Sequence, residues 1–354
     1  MSNHDGQPPL PAKALSAIWV ENNVIGVQEV PVSPPGPGEI LVRIRAAGIC
    51  GSDLHAFHDD GPRQAMPGIG PGHELAGEVA ALGPGVAGPE PGTPVAVLAC
   101  RICDRCDFCR GGRIQLCPEL RIAGGNYPGG MAEYFTAQEG YVYPLPDGMD
   151  WGVAALSEPC GISLHAMKRG GPLRGRNVLI LGAGTIGLFA ALVAHDAGAA
   201  RVGITARYPQ QAEAARRLGA TDVFDPADAE SAHPAGGNRW DVVVESVGGV
   251  HQTLQTAINQ VDRGGTIILL GVHTAPQTIV TTRVFFHELT IAGAFGYDHV
   301  GPRADYEDTL ALLAKYSDQV APLITHRFPL EKAGDAFAAA LDKKSGAIKV
   351  TVFP

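Results

Sequence analysis

The stretch "NVLILGAGTIGLFAALVAHD", residues 177–196, limits the fold more than any other part of this sequence. A strand-like run, "NVLIL", leads directly into Gly182, Gly184 and Gly187, spaced G-x-G-x-x-G. Thr185 and Ile186 then open a segment apolar enough to form a buried helix. Strand, glycine-rich turn and helix in that order mark a dinucleotide-binding unit. The first glycine makes the turn, the second admits a pyrophosphate, and the third lets helix and strand pack closely. Unpaired N–H groups and the dipole at the helix start favour the anion. A membrane span is the competing reading of 178–194. Glycines interrupt its first half, however, and it stops short of the roughly 18 uninterrupted apolar residues a span needs.

Beyond this unit, "ARVGIT", "PQQAEAARRLGA", "DVFD", "WDVVVES", "GTIILLG" and "LTIAGAF" follow one another. Strands alternating with helices predict a doubly wound parallel sheet covered on both faces. An NAD-binding chain would carry Asp or Glu about 20 residues after the glycines, to hold the ribose 2′-OH. Here "ARVGIT" is followed at that position by Ala206, then Arg207 and Tyr208. A small residue beside a guanidinium suits a 2′-phosphate, so NADP(H) is favoured over NAD(H). Ligands of open parallel sheets sit at the carboxyl ends of strands, which puts Val247, Gly271 and Val272 at the nicotinamide.

Residues 14–100 differ in pattern: short apolar runs such as "EILVRIRAAGI" and "ELAGEVAAL" broken by Gly and Pro, as in a mostly-β domain. With 354 residues, roughly two domains are expected. The formal charge of −9 argues against a nucleic-acid partner. Residues 1–12 read as a loose polar tail without the features of a signal peptide, and a cytoplasmic protein with no membrane partner is expected. In that reducing setting clustered cysteines favour metal over disulfides. "CRICDRCDFCRGGRIQLC" holds five of the seven cysteines, and without Cys100 the spacing is C-x2-C-x2-C-x7-C. Cys103, Cys106, Cys109 and Cys117 therefore suit one closed, structural Zn²⁺ site.

Two further motifs, "AAGICGSDLHAFH" (46–58) and "GPGHELAGEVAALGPGV" (70–86), precede the cysteine lobe and the glycine-rich unit. Together, and in this order, the four resemble the zinc-dependent medium-chain dehydrogenases, nearest the polyol, threonine and glucose branch. The resemblance runs from about residue 14 to the C-terminus. It implies a Rossmann domain over 161–299 and a GroES-like catalytic domain, with the structural zinc lobe, over 1–160 and 300–354. It also implies a second, catalytic Zn²⁺ held by Cys50, His73 and Glu158, with Glu74 either an intermittent ligand or only a salt-bridge partner. Three mixed S, N and O ligands would leave one position for water or substrate. Asp53 would orient His73. Ser52 and His55 match the family's proton path, although Ser52 also suits a helix cap and His55 a surface position. Cys160 reads as packing first and an alternative ligand second. The implied activity is hydride transfer between NADP(H) and a small secondary alcohol or ketone, of the polyol, sugar or cyclitol kind, in a homo-oligomeric (dimeric or tetrameric) enzyme. The competing readings are a zinc-free enone or quinone reductase and a non-enzymatic zinc-lobe binding module. Phe57, His58, Tyr127 and Met131 adjoin the zinc loops and are candidates for the substrate pocket. The Arg-Tyr pair common in the branch is absent, since Gly296 precedes Tyr297.

Overall fold

Parallel pairing organises the second half of the chain. The structure is a computed structural model describing residues 10–21, 23–58, 65–232, 239–300 and 304–354. Two units partition it: Met1–Glu158 with Asp298–Pro354, and Pro159–Tyr297. In the latter, six strands lie in the order Asp222–Phe224, Arg201–Thr205, Asn177–Leu181, Trp240–Glu245, Val261–Leu269, Thr290–Gly293, and every pairing is parallel. This is the order of a Rossmann sheet, in which strand direction of growth reverses beside the first strand. Val178, Leu179, Ile180 and Leu181 are all buried, because helices such as Thr185–Asp196 and Thr253–Gln260 cover the sheet. A strand covered on both faces needs an unbroken apolar run rather than alternation.

The first unit is mostly β. Lys13–Glu21 and Val24–Pro31 form an antiparallel hairpin. A seven-stranded sheet follows the path Ile324–Pro329, Lys349–Phe353, Glu39–Gly48, Glu74–Leu82, Pro94–Leu98, Val142–Pro144, with Tyr134–Gln138 also pairing Glu39–Gly48. The chain's last strand thus returns to its first domain: Thr351 pairs with Gly48 and Val352 with Ala47. Trp19, Ile40, Val42, Leu75, Val97, Phe337, Val350 and Val352 share one core. The tail expected over residues 1–12 falls largely outside the described residues, and the first strand begins at Lys13. Among the described residues no helix is long and apolar enough to cross a membrane.

Helix Ala333–Leu341 closes this core with Phe337, which is fully buried and lies 5.6 Å from the Trp19 ring and 5.5 Å from the Phe57 ring. Phe337→Ala is expected to cost about 3–5 kcal/mol through lost burial and a residual cavity. Urea unfolding measures it, and a loss below about 1 kcal/mol would mean that the core closes without this ring.

Candidate metal and dinucleotide sites

The Sγ atoms of Cys103, Cys106, Cys109 and Cys117 all lie within 4.8 Å of one another. Cys103–Cys109, Cys106–Cys109 and Cys103–Cys117 are separated by 3.9, 3.4 and 3.6 Å. Four sulfurs at about 2.3 Å from a tetrahedral Zn²⁺ would be about 3.8 Å apart, so the lobe has the dimensions of a closed zinc site. The local chain delivers them. Cys106 caps the short helix Asp107–Arg110, its sulfur accepting from the Cys109 N–H, and the 3-10 turn Ile114–Leu116 brings back Cys117. The backbone N–H of Arg105 is the main influence drawing the Cys103 thiol below its ordinary pKa, against desolvation. Cys100 stands outside this group, on the strand Cys100–Arg101, where burial pushes its thiol up.

The second set is assembled by strand register. Gly48 pairs with Glu74 at the end of the ladder between Glu39–Gly48 and Glu74–Leu82, so Cys50 and His73 leave that ladder at the same end. Asp53, fully buried in helix Gly51–His58, joins them: one carboxylate oxygen accepts from the Cys50 N–H at 3.0 Å and the other lies 3.6 Å from His73 Nδ1. Burial alone would lower the His73 pKa, but Asp53, Cys50 and Glu158 outweigh it and lift the imidazole to about 10. Glu158 enters from the first turn of helix Ser157–Arg169. That helix start is pinned, because Ser157 donates to the Tyr306 hydroxyl at 3.0 Å, which donates to the Val97 carbonyl at 3.0 Å.

Glu74 is engaged elsewhere. Both its oxygens accept from Lys349 Nζ at 2.7 Å, and the same ammonium donates to the Ile49 carbonyl at 2.9 Å. Acid and base are both buried. A Cβ on Gly48 would lie 2.0 Å from Glu74 Oε2, so a glycine is what lets the carboxylate cross the strand to Lys349. Of the two readings of Glu74, the structure displays the salt bridge. The donors of Cys50, His73 and Glu158 do not converge as tightly as the four cysteines. Their surroundings nonetheless suit a cation: Asp53, Glu74 and Glu158 are buried near one another's histidine and cysteine with Lys349 as the buried ammonium. Buried carboxylates in excess of buried cations favour a bound positive charge, and one of S, N and O donors suits Zn²⁺.

Ser52 and His55 lie three residues apart on Gly51–His58, hence on one face of it, and both are half-buried. The helix starts at Gly51, so Ser52 is inside its first turn and not at the cap position. Two of the four substrate-pocket candidates are core residues. Phe57 packs with Trp19 and Phe337, and Met131 is fully buried in the same core. Tyr127 lies against Phe135 and under the Arg101 guanidinium, while His58 Nδ1 sits 2.8 Å from Asn23 Oδ1. Adjacency in sequence to a metal loop does not decide which way a side chain points, and here the apolar ones joined the core. Cys160 is also fully buried, and burial raises its thiol pKa. Two residues beyond Glu158 on a helix is nearly the opposite face.

In the other unit, Gly182 has φ 101° and Gly184 precedes the helix Thr185–Asp196. A Cβ on Gly187 would lie 1.8 Å from the Gly182 carbonyl oxygen, whereas one on Gly184 would meet nothing within 4 Å. The third glycine is thus required by packing, and the second leaves open space at the helix N-terminus, where a pyrophosphate fits. The Thr205 hydroxyl, at the end of the neighbouring strand, accepts from the Gly182 N–H at 2.8 Å and steadies the turn. Ala206 is buried and Arg207 exposed just after it. Val247 and Val272 are exposed at the carboxyl ends of adjacent strands, with Gly271 between the second strand and Val272.

Residues 36–147 match the model of the alcohol dehydrogenase GroES-like domain, and residues 185–315 that of the zinc-binding dehydrogenases. The chain is 33% identical over 334 residues to sorbitol dehydrogenase of Macaca fascicularis, covering 92% of each. The chain belongs to the zinc-dependent medium-chain dehydrogenases. It is 32% identical over 345 residues to L-threonine 3-dehydrogenase of Rhizobium johnstonii, covering 95% of this chain and 96% of the relative. Its fold matches a zinc-binding dehydrogenase of Sinorhizobium meliloti 1021 bound to NADP, with TM-score 0.88 and 30% identity over 97% of this chain and 100% of the other. The protein is accordingly a zinc-dependent, NAD(P)-dependent dehydrogenase with a GroES-like and a Rossmann domain.

Sequence reasoning missed Lys349 and Thr205. The only signal for Lys349 was a lysine inside an otherwise buried strand, "AIKVTVF". Lys349→Met leaves the Glu74 carboxylate buried without its cation, and a loss of about 3–5 kcal/mol is expected. In zinc-stripped protein, where no metal can replace the lost charge, adding Glu74→Gln should recover part of that loss. Strictly additive losses in denaturant unfolding of the two single variants and the double would show that the pair is not coupled.

Proposed function

We propose that this dehydrogenase prefers NADP(H), binds two zinc ions per chain and oxidises a secondary alcohol, or reduces the matching ketone, of the polyol, sugar or cyclitol class. The observation that carries the reading is the joining of Cys50, His73, Asp53 and Glu158 around one buried imidazole. The substrate class is supported by the names of the relatives, sorbitol and L-threonine 3-dehydrogenase. When bound, the catalytic zinc would polarise the substrate oxygen and the nicotinamide would carry the hydride.

The chain's own residues do the rest. Cys50, His73 and Glu158 would hold the metal, and Asp53, 3.6 Å from His73 Nδ1, biases that ring electrostatically. Glu74, restrained by Lys349, is the neighbouring carboxylate. Ser52 Oγ would take the alcohol proton while passing its own hydroxyl proton on through the cofactor ribose to His55, which would release it to solvent. Gly182, Gly184, Thr185, Ile186 and Gly187 hold the pyrophosphate, and Val247, Gly271 and Val272 face the nicotinamide. Arg207 meets the 2′-phosphate where an acid would exclude it. It is exposed and, among the described residues, it is paired with no carboxylate, so its charge is uncommitted. Cys103, Cys106, Cys109 and Cys117 bind the second, structural zinc. Seven cysteines without a disulfide fit the cytoplasm.

The proposal extends to a homo-oligomer. Thr290–Gly293 is an edge strand, and beside it in sequence Val280, Phe285, Phe286 and Ile291 are 57%, 77%, 71% and 37% exposed. An open strand edge with apolar neighbours is a surface that a second copy can cover by pairing the same edge. Phe285→Asp with Phe286→Asp is expected to lower the mass measured by light scattering to that of one chain, and an unchanged mass would place the subunit contact elsewhere.

Metal analysis and cofactor kinetics test the activity together. Two zincs per chain are expected, falling to one in Cys50→Ser; a single zinc in the wild type would favour a reductase without a catalytic zinc. Across a panel of polyols, cyclitols and keto-sugars, kcat/KM should favour NADP(H), and Arg207→Ala should erode that preference by about tenfold, the worth of a charge-assisted hydrogen bond. A preference that survives the substitution intact would remove Arg207 from the cofactor site.

A further inference from the structure

Two loops follow the neighbouring strands Trp240–Glu245 and Val261–Leu269, and one residue gathers both. Glu245 is fully buried at the end of the first strand. Its Oε1 accepts from the N–H groups of Val247 at 2.9 Å and Gly248 at 3.1 Å, and from the Thr253 hydroxyl at 2.7 Å. Its backbone carbonyl accepts from the N–H groups of Leu270 at 2.9 Å and Gly271 at 2.8 Å. The loops are then zipped together, the Gly249 N–H donating to the Val272 carbonyl at 2.8 Å and the Thr274 N–H to the Gly249 carbonyl at 3.0 Å.

The second carboxylate oxygen is placed differently. Oε2 lies 3.1 Å from His273 Nε2, and the His273 side chain is only 9% exposed. Neither Oε2 nor either ring nitrogen has a hydrogen-bond partner among the described residues. Gly271 keeps the space clear, since a Cβ there would lie 2.5 Å from Oε2 and 2.5 Å from the Gly248 nitrogen. Burying a carboxylate costs several kcal/mol unless its partners repay it, and an apolar residue would join two strands more cheaply. What a carboxylate can do and an apolar residue cannot is aim particular N–H groups and hold a turn in one conformation. The turn it holds presents Val247 and Val272, which are 41% and 56% exposed.

We propose that Glu245, with His273 as its partner, is a positioning residue for the nicotinamide half of the cofactor, fixing the two loops whose valines face the ring. The proposal rests on the reading of this unit as the NADP(H) site. Glu245→Gln preserves shape and removes the charge opposite His273; His273→Asn removes the partner and carries the test if the first variant does not fold. In the full-length, zinc-loaded protein, NADPH binding is followed by its fluorescence, and adenosine 2′,5′-bisphosphate, which lacks the nicotinamide half, by calorimetry. Both variants are expected to raise the Kd for NADPH by about tenfold, the worth of weakening one charge-assisted contact that holds the loops. The Kd for the bisphosphate should stay within about twofold, because its subsite is built from the other strands. Equal weakening of both ligands, or of neither, would overturn the proposal by reducing Glu245 to a general sheet residue or a bystander. A wild-type protein that binds neither NADPH nor NADH would instead overturn the cofactor reading, and this proposal with it.

Discussion

The antiparallel ladder between Glu39–Gly48 and Glu74–Leu82 is the constraint on which the proposed metal chemistry depends. Its final pair, Gly48 with Glu74, fixes where Cys50 and His73 leave the sheet, and no loop has to be trusted with that distance. The third strand in the arrangement is the last of the chain. Thr351 pairs with Gly48, and Lys349, two residues earlier, extends its ammonium to Glu74 and Ile49. Side chains placed beside rigid strand ends are positioned more precisely than those on long loops.

Several buried charges lie at the two proposed sites. In the first unit Asp53, Glu74, Glu158 and Lys349 are all within the protein, together with the imidazole they act on. In the second, Glu245 and His273 make a similar pair beside the strand ends that bind ligands in such sheets. Burying a carboxylate is costly unless partners offset it, as Lys349 does for Glu74 and the Val247 and Gly248 N–H groups do for Glu245. The structural lobe follows another rule, with cysteine spacing and a tight chain rather than carboxylates providing the donors.

How much was legible depended on sequence separation. The alternation of apolar runs with helical segments was enough for the parallel sheet, because period and length are properties of a few neighbouring residues. The same holds for the glycine turn, where Gly187 meets Gly182 only five residues away. The pocket candidates fared worse. Phe57 and Met131 adjoin the zinc loops in sequence, yet both belong to the core around Trp19 and Phe337. Nothing in a local pattern distinguishes an aromatic that lines a pocket from one that fills a core.

The cysteine lobe and the glycine-rich turn were determined by sequence alone, since each is encoded in spacing over fewer than twenty residues, and the two fold classes by repeated local patterns along each half of the chain. The resemblance implied the roles proposed for Cys50, His73 and Glu158. Only the tertiary structure decided that Glu74 faces Lys349, 275 residues away, and that Glu245 gathers two loops opposite His273. Such partnerships are chosen by which strands lie side by side and by what a buried charge finds there. Neither quantity exists until the chain has folded.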